Sequence, residues 1–130
     1  MSAKKAIITE LAPQPIGTFS QAIRHGNTVY LSGQVGWDVK TGRLVTDSFE
    51  AQLEQLLKNV KSVAEASGGS LEDIVKLTLF ILDYKNFPII NKVFEKFFTK
   101  PYPARSCIGV SSLPLGADIE VEGILQLSHK

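Results

Sequence analysis

The sequence predicts an α+β fold in which one sheet carries two helices on a single face. Three observations lead there. Short extended segments, β-branched or apolar, flank two amphipathic stretches in the order β-β-β-α-β-α-β-β. Each amphipathic stretch has one apolar stripe, enough to bury one side of a helix. A strand lies between the two helices, which demands crossover connections, and right-handed crossovers place both helices on the same side of the sheet.

The elements follow in order. Ala6 to Glu10 is a short first strand, and Pro13 to Ala22 is a loop stiffened by two prolines and loosened at Gly17. His25-Gly26-Asn27 marks a turn between extended pieces at 20–24 and Thr28–Gln34. Asp38 to Gly42 marks another turn, with Trp37 before it as either a packing or a binding aromatic. Asp47 to Ser67 is the clearest helix, and Asp47-Ser48-Phe49-Glu50 reads as a capping box with an aspartate cap. Phe49, Leu53, Leu56, Leu57, Val60, Val63 and Ala64 form its stripe, and Gly68-Gly69 ends it. Ile74 to Leu82 has only Lys76 and Thr78 as polar members and reads as a strand buried on both faces. Asn86 is placed to cap the second helix, with Pro88 in its first turn and Phe87, Ile90, Phe94, Phe97 and Phe98 on its inner side. Pro101 stops it, and strands at 104–110 and 118–127 complete the chain.

Two helices cover one face of such a sheet. On the other, Tyr30, Ser32 and Gln34 would share a side with Glu120, Glu122, Ile124, Phe80 and Leu82. That mixture is too apolar for water and too polar for a dry core. The expectation is contact with other subunits, with pockets left between them.

Composition narrows the function classes. The 130 residues form one expected domain, 1–130, with 14 Lys and Arg against 13 Asp and Glu and a net charge of +1. That balance leaves no basic footprint for nucleic acid or acidic lipid, and no apolar run reaches the length of a membrane span. A single cysteine forms no intrachain disulfide, and the first residues lack the apolar core of a signal peptide, so the cytoplasm is the expected location.

The stretch Lys100 to Cys107 is the most suggestive. Its two prolines hold the approach to a strand, and Arg105 falls at that strand's start. A guanidinium stays charged and offers a planar fork to a carboxylate. Alternation puts Arg105 and Cys107 on one side of the strand, with Glu120 and Glu122 on what reads as the neighbouring strand. Two readings stand on spacing alone: a structural ion pair between Arg105 and one of these glutamates, or a site for a small carboxylic acid. Cys107 by itself reads as a small core residue, since His25 lies in a turn and His129 in the tail. Two distant histidines and one cysteine make no zinc set, and no phosphate-binding or dinucleotide motif is present.

Four separated segments are similar to a known family. Pro15-Ile16-Gly17-Thr18-Phe19-Ser20-Gln21-Ala22, Leu31-Ser32-Gly33-Gln34, Tyr102-Pro103-Ala104-Arg105-Ser106-Cys107 and Ile119-Glu120-Val121-Glu122 resemble the signature segments of the RidA family. This is the YjgF/translation-inhibitor group of reactive intermediate deaminases. The resemblance implies a chorismate-mutase-like fold and a homotrimer, open face inward, with active sites at subunit clefts. It implies hydrolysis of 2-aminoacrylate and related enamine or imine acids to 2-oxo acids and ammonia, with no cofactor and no metal. By position in the family, Arg105 would clamp the substrate carboxylate and Glu120 would handle the proton of the attacking water. Ser32, Gly33, Asn91, Cys107 and Phe19 would line the pocket. Many members carry tyrosine where this chain has Phe19, and the lost hydroxyl, worth about 0.5–1.5 kcal/mol, predicts slower turnover or a preference for bulkier imino acids. A non-catalytic 2-oxo acid sensor is a second reading, and an endoribonuclease a third that the near-neutral charge disfavours.

Overall fold

The computed structural model describes residues 3–128. Its main sheet contains β1 (Lys5–Ile7), β2 (Ala22–His25), β3 (Thr28–Gln34), β6 (Ile74–Ile81), β7 (Ala104–Gly109) and β8 (Ile119–Gln126), in the spatial order β1-β2-β3-β8-β6-β7. β6 and β7 are parallel, and the other neighbours are antiparallel. A separate ribbon pairs β4 (Trp37–Asp38) with β5 (Arg43–Leu44). The helices are α1 (Phe49–Ala66) and α2 (Phe87–Phe97), and both bury their stripes against one face of the main sheet, as the crossovers require.

Leu53, Leu56 and Leu57 of α1 are wholly buried against Leu77, Leu79, Ile81, Ile119 and Leu125, with Ile90 and Val93 of α2 beside them. Each such side chain contributes about 1.5–3 kcal/mol on burial, against typically ~1 kcal/mol for a helix cap. The stripe therefore decides where α1 lies, and the cap only trims its end. That cap is Ser48 and not Asp47: Ser48 is extended and its Oγ accepts from the Ala51 amide at 3.0 Å. Alanine three residues past the cap leaves no carboxylate to close a box. Asn86 likewise gives α2 no side-chain cap. It already lies in a 3-10 turn, Tyr84–Asn86, whose own cap is Asp83, so its backbone is helical before α2 begins.

Three further expectations are corrected. β1 stops at Ile7 because the buried Gln21 side chain takes over the pairing: the Thr9 amide donates to its Oε1 at 2.8 Å, and its Nε2 donates to Thr9 O at 3.0 Å and Pro13 O at 2.8 Å. This staple holds the proline-rich loop against the sheet. β6 is buried on one face only: Leu77, Leu79 and Ile81 are covered, whereas Lys76, Thr78 and Phe80 are half-buried. Finally, β3 bulges between Leu31 and Gln34. An extra residue reverses the alternation, so Gln34 turns to the buried side opposite Val121 and no longer shares a face with Tyr30.

Candidate functional site

The strand order separates the residues that alternation alone would bring together. β7 does not pair with β8, because β6 runs between them. Arg105 pairs with Leu77 and Cys107 with Leu79, on the helix-covered side; Glu120 pairs with Phe80 and Glu122 with Thr78, on the open side. Arg105 and Glu120 thus lie on strands about 10 Å apart across the sheet, are offset by three residues along it (Leu77 against Phe80), and sit on opposite faces. The chain carries two separate candidate sites.

The first is built on the edge strand β7 and on α2. The guanidinium carbon of Arg105 sits 5.4 Å from the Phe87 ring centre and 5.1 Å from that of Phe94, and Nη2 donates to Asn91 Oδ1 at 2.8 Å. Phe87, Asn91 and Phe94 recur at steps of four and three, the spacing that puts three side chains on one helix face. Two rings and an amide hold the arginine without neutralising it. Among the described residues no carboxylate lies within ion-pair distance of Arg105, since the ion pairs formed are Lys92 and Lys96 with Glu50, and Lys96 with Glu54. The structural ion pair considered above is absent from the chain. Most of the five guanidinium donors remain for an anion.

Cys107 is half-buried beside this arginine, and its carbonyl accepts from the Tyr84 hydroxyl. Burial pushes its thiol up, and the smaller pulls of Tyr84 and Arg105 do not offset that. A protonated thiol is a poor nucleophile. His25 lies on β2, and His129 lies outside the described residues.

The second candidate site is a cavity of about 670 Å³ on the open face, lined in part by Phe19, Ser32, Gly33, Trp37, Leu115, Glu120 and Glu122. The bulge in β3 builds its floor. A side chain at Gly33 would place its first carbon 2.8 Å from the Glu120 carboxyl carbon, so the missing side chain is what lets that carboxyl rest against this backbone. Ser32 anchors the rim, donating from Oγ to Ser20 O at 2.6 Å and from its amide to Gln21 O at 3.0 Å. A second cavity, about 230 Å³, lies between α2 and Pro101–Pro103 and contains none of these residues. The Lys100–Pro101 bond beside it is cis.

Two carboxylates, Glu120 and Glu122, line the cavity, and Glu120 is the perturbed one. Burial raises its pKa, and the charge of Glu122 raises it further. A carboxylate poised above its ordinary value holds a proton more readily, which suits a group that takes a proton from water and returns it. Glu122→Gln removes the second cause and lowers the pKa of Glu120. If Glu120 is the base, the acid limb of the kcat/KM profile moves to lower pH in this variant. An unmoved limb would assign that limb to another group.

Sequence reasoning reached Arg105, Asn91 and Cys107 at one of these places, and Phe19, Ser32, Gly33 and Glu120 at the other. It read Phe87 and Phe94 as core and passed over Leu115. The spacing of Phe87, Asn91 and Phe94 was the available signal for the aromatic cradle. Among the described residues no cluster of histidine, cysteine and carboxylate side chains is placed to hold a metal ion, and no helix is long and apolar enough to cross a membrane.

Residues 9–126 match the family model described as Endoribonuclease L-PSP. The chain is 50% identical to a 2-iminobutanoate/2-iminopropanoate deaminase of Dermatophagoides farinae, over 96% of this chain and 98% of that one. Crystallised RidA from an Antarctic Psychrobacter superposes with a TM-score of 0.91 at 44% identity, covering 95% of this chain and 99% of its own. E. coli TdcF, crystallised with bound serine, superposes at 0.90 with 38% identity, covering 95% and 99%.

Proposed function

The chain belongs to the Endoribonuclease L-PSP family, the RidA group, and on that premise we propose that it is a deaminase that hydrolyses 2-imino acids to 2-oxo acids and ammonia. The observation that carries the reading is the uncompensated Arg105, held by Phe87, Phe94 and Asn91 with donors to spare. The family description names an endoribonuclease, but a net charge of +1 offers little for neutralising phosphates.

Arg105 takes the substrate carboxylate bidentately and fixes the imine carbon. That carbon is already electrophilic, so what remains is to orient a water and manage its proton. Glu120 accepts one proton as the water oxygen bonds to the carbon, then passes it to the nitrogen, giving a carbinolamine. The hydroxyl of that intermediate gives up its own proton, again by way of Glu120 to the nitrogen, as the C–N bond breaks, so the carbonyl forms and ammonia leaves. No redox change occurs. Ser32 and Gly33 line the path of the attacking water, and the Phe19 ring covers it from solvent.

A small acid does not reach from Arg105 to Glu120 through the sheet, so the working site takes its two halves from different copies of the chain. The β7 edge of one copy sets its arginine against the open-face cavity of the next, and a closed ring of three gives three such sites. The open face suits that use: Tyr30 and Ile108 are exposed there at 51% and 45%, with half-buried Phe80 between their rows. The 130 residues act as one domain with the cytoplasm as their location, and neither cofactor nor metal enters the reaction.

The test is a coupled assay. A pyridoxal-phosphate dehydratase supplies 2-aminoacrylate from serine, and the purified protein accelerates pyruvate and ammonia release above the buffer rate. Release at the buffer rate, with thermal stabilisation by 2-oxo acids, would select the sensor reading instead.

A further inference from the structure

The aromatic cradle of Arg105 extends one ring beyond the two that face its guanidinium. Tyr84 stacks on Phe87 with ring centres 6.0 Å apart and planes 18° from parallel, and Phe87 in turn faces Arg105 at 5.4 Å. The backbone dictates that stack. Tyr84 opens the 3-10 turn Tyr84–Asn86, which Asp83 caps by accepting from the Lys85 amide at 2.9 Å, and the Phe87 amide donates to Tyr84 O. Residues three apart in such a turn lie one above the other, so Tyr84 is set over Phe87.

The far end of Tyr84 reaches β7. In this edge strand the Val110 amide donates to Ile81 O at 2.9 Å, so residues 106, 108 and 110 turn their backbone toward β6. Arg105, Cys107 and Gly109 turn theirs outward, where no strand of the same chain pairs with them. There the Tyr84 hydroxyl donates to the Cys107 carbonyl. A side chain at Gly109 would begin 3.4 Å from the Tyr84 ring, so the ring lies along the strand between these two residues.

The contacts close a circuit. It runs from the Arg105 guanidinium to the Phe87 ring, to Tyr84, to the Cys107 carbonyl, and back along β7 to Arg105. Its members differ in what anchors them. Phe94, the second ring facing the guanidinium, belongs to the buried core, and core packing fixes it. Phe87 and Tyr84 are not part of that core. The Phe87 ring is therefore steadied by Tyr84, whose hydroxyl is tied to the same strand that carries the arginine. A fork that must meet a carboxylate with two parallel hydrogen bonds depends on such steadying, because its plane has to be fixed as well as its charge.

Resting on the deaminase reading above, we propose that Tyr84 is a positioning residue for Arg105. It acts through the arginine and not on the substrate: it ties Phe87 to the edge of β7 and so sets the plane in which the guanidinium meets the carboxylate.

The experiment measures kcat/KM for 2-iminopropanoate, generated in place from alanine by an amino-acid oxidase, in Tyr84→Phe and Tyr84→Leu, each alone and combined with Arg105→Lys. Tyr84→Phe keeps the stacked ring and drops the hydroxyl, so a loss of about fivefold is expected, the scale of one hydrogen bond. Tyr84→Leu drops both, and the loss grows to about thirtyfold because a stacked pair adds a similar amount. A tyrosine that only supported the fold would cost the same factor whatever stood at position 105. A positioning residue loses its effect once the fork is gone, so in the Arg105→Lys background Tyr84→Leu costs no more than about twofold. Equal losses in the two backgrounds, a Tyr84→Leu variant as active as the parent, or one that no longer assembles as the parent does would overturn the proposal and leave the deaminase reading standing. Should the parent hydrolyse no imine, the deaminase reading fails. The positioning role is then read from the Kd for pyruvate, which Tyr84→Leu weakens about thirtyfold if the role is real. An unchanged Kd, or a parent that does not bind pyruvate, overturns it.

Discussion

Arg105→Ala is expected to lower kcat/KM for imine hydrolysis by about a thousandfold while the protein stays folded. A bidentate guanidinium–carboxylate contact supplies two charge-assisted hydrogen bonds of roughly 1.5–3 kcal/mol each, and about 4 kcal/mol corresponds to three powers of ten in rate. The fold should survive because Arg105 lies on an edge strand and forms no ion pair that its removal would orphan. What the variant loses locally is a cation over two rings and one hydrogen bond, at Phe87, Phe94 and Asn91. Arg105→Lys separates charge from geometry. An ammonium keeps the charge but not the planar fork, so a loss of roughly ten- to a hundredfold is expected. A lysine variant as active as the parent would mean that Arg105 acts as a point charge and does not orient the substrate.

Glu120→Gln is expected to cost about 10²–10⁴ in kcat, the usual contribution of a positioned acid–base group. Glutamine keeps the shape and gives up the proton transfer. Stability should move the other way. The folded pKa of Glu120 is raised above its ordinary value of 4.5 by burial and by Glu122. A carboxyl raised in this sense destabilises the fold above its unfolded pKa, where folding must hold the charged form in an unfavourable place. The cost is absent below that pKa, where both states are protonated. Glu120→Gln should therefore melt at a higher temperature than the parent at pH 7, with the gain vanishing below about pH 4. A less stable variant at pH 7 would mean that the carboxylate makes a compensating contact in the assembled protein.

The layers of the fold were legible because they depend on short-range regularities. The α1 stripe from Phe49 to Ala64 and the phenylalanines of α2 repeat at helical spacing, and one crossover rule then placed both helices on one face. Pairing order is a long-range property that no local period encodes, so β6 could not be foreseen between β7 and β8. The bulge at Ser32–Gly33 was hidden for a similar reason: its signal is one glycine, and the Glu120 carboxyl that lies against that glycine comes from another strand. Ser48 and Asn86 show the limit at helix ends, where adjacent polar residues compete to cap and the path of the preceding chain decides between them.

The site was legible as residues and not as an arrangement. Arg105 stood out through its prolines and its strand, and Glu120 through the motif around it. That they belong to opposite faces became visible only in the register, and it changes what the chain alone can do.

The central claim, that Arg105 and Glu120 act on one substrate from different copies of the chain, is tested most directly by mixing two inactive variants. Arg105→Ala and Glu120→Gln chains are co-expressed with different tags, and oligomers carrying both tags are isolated. A shared site predicts recovered activity, about a third of the parent's, because each mixed ring of three contains one neighbour pairing in three that joins an intact arginine to an intact glutamate. Mixed oligomers no more active than either variant alone would place both residues in sites of a single chain and contradict the account.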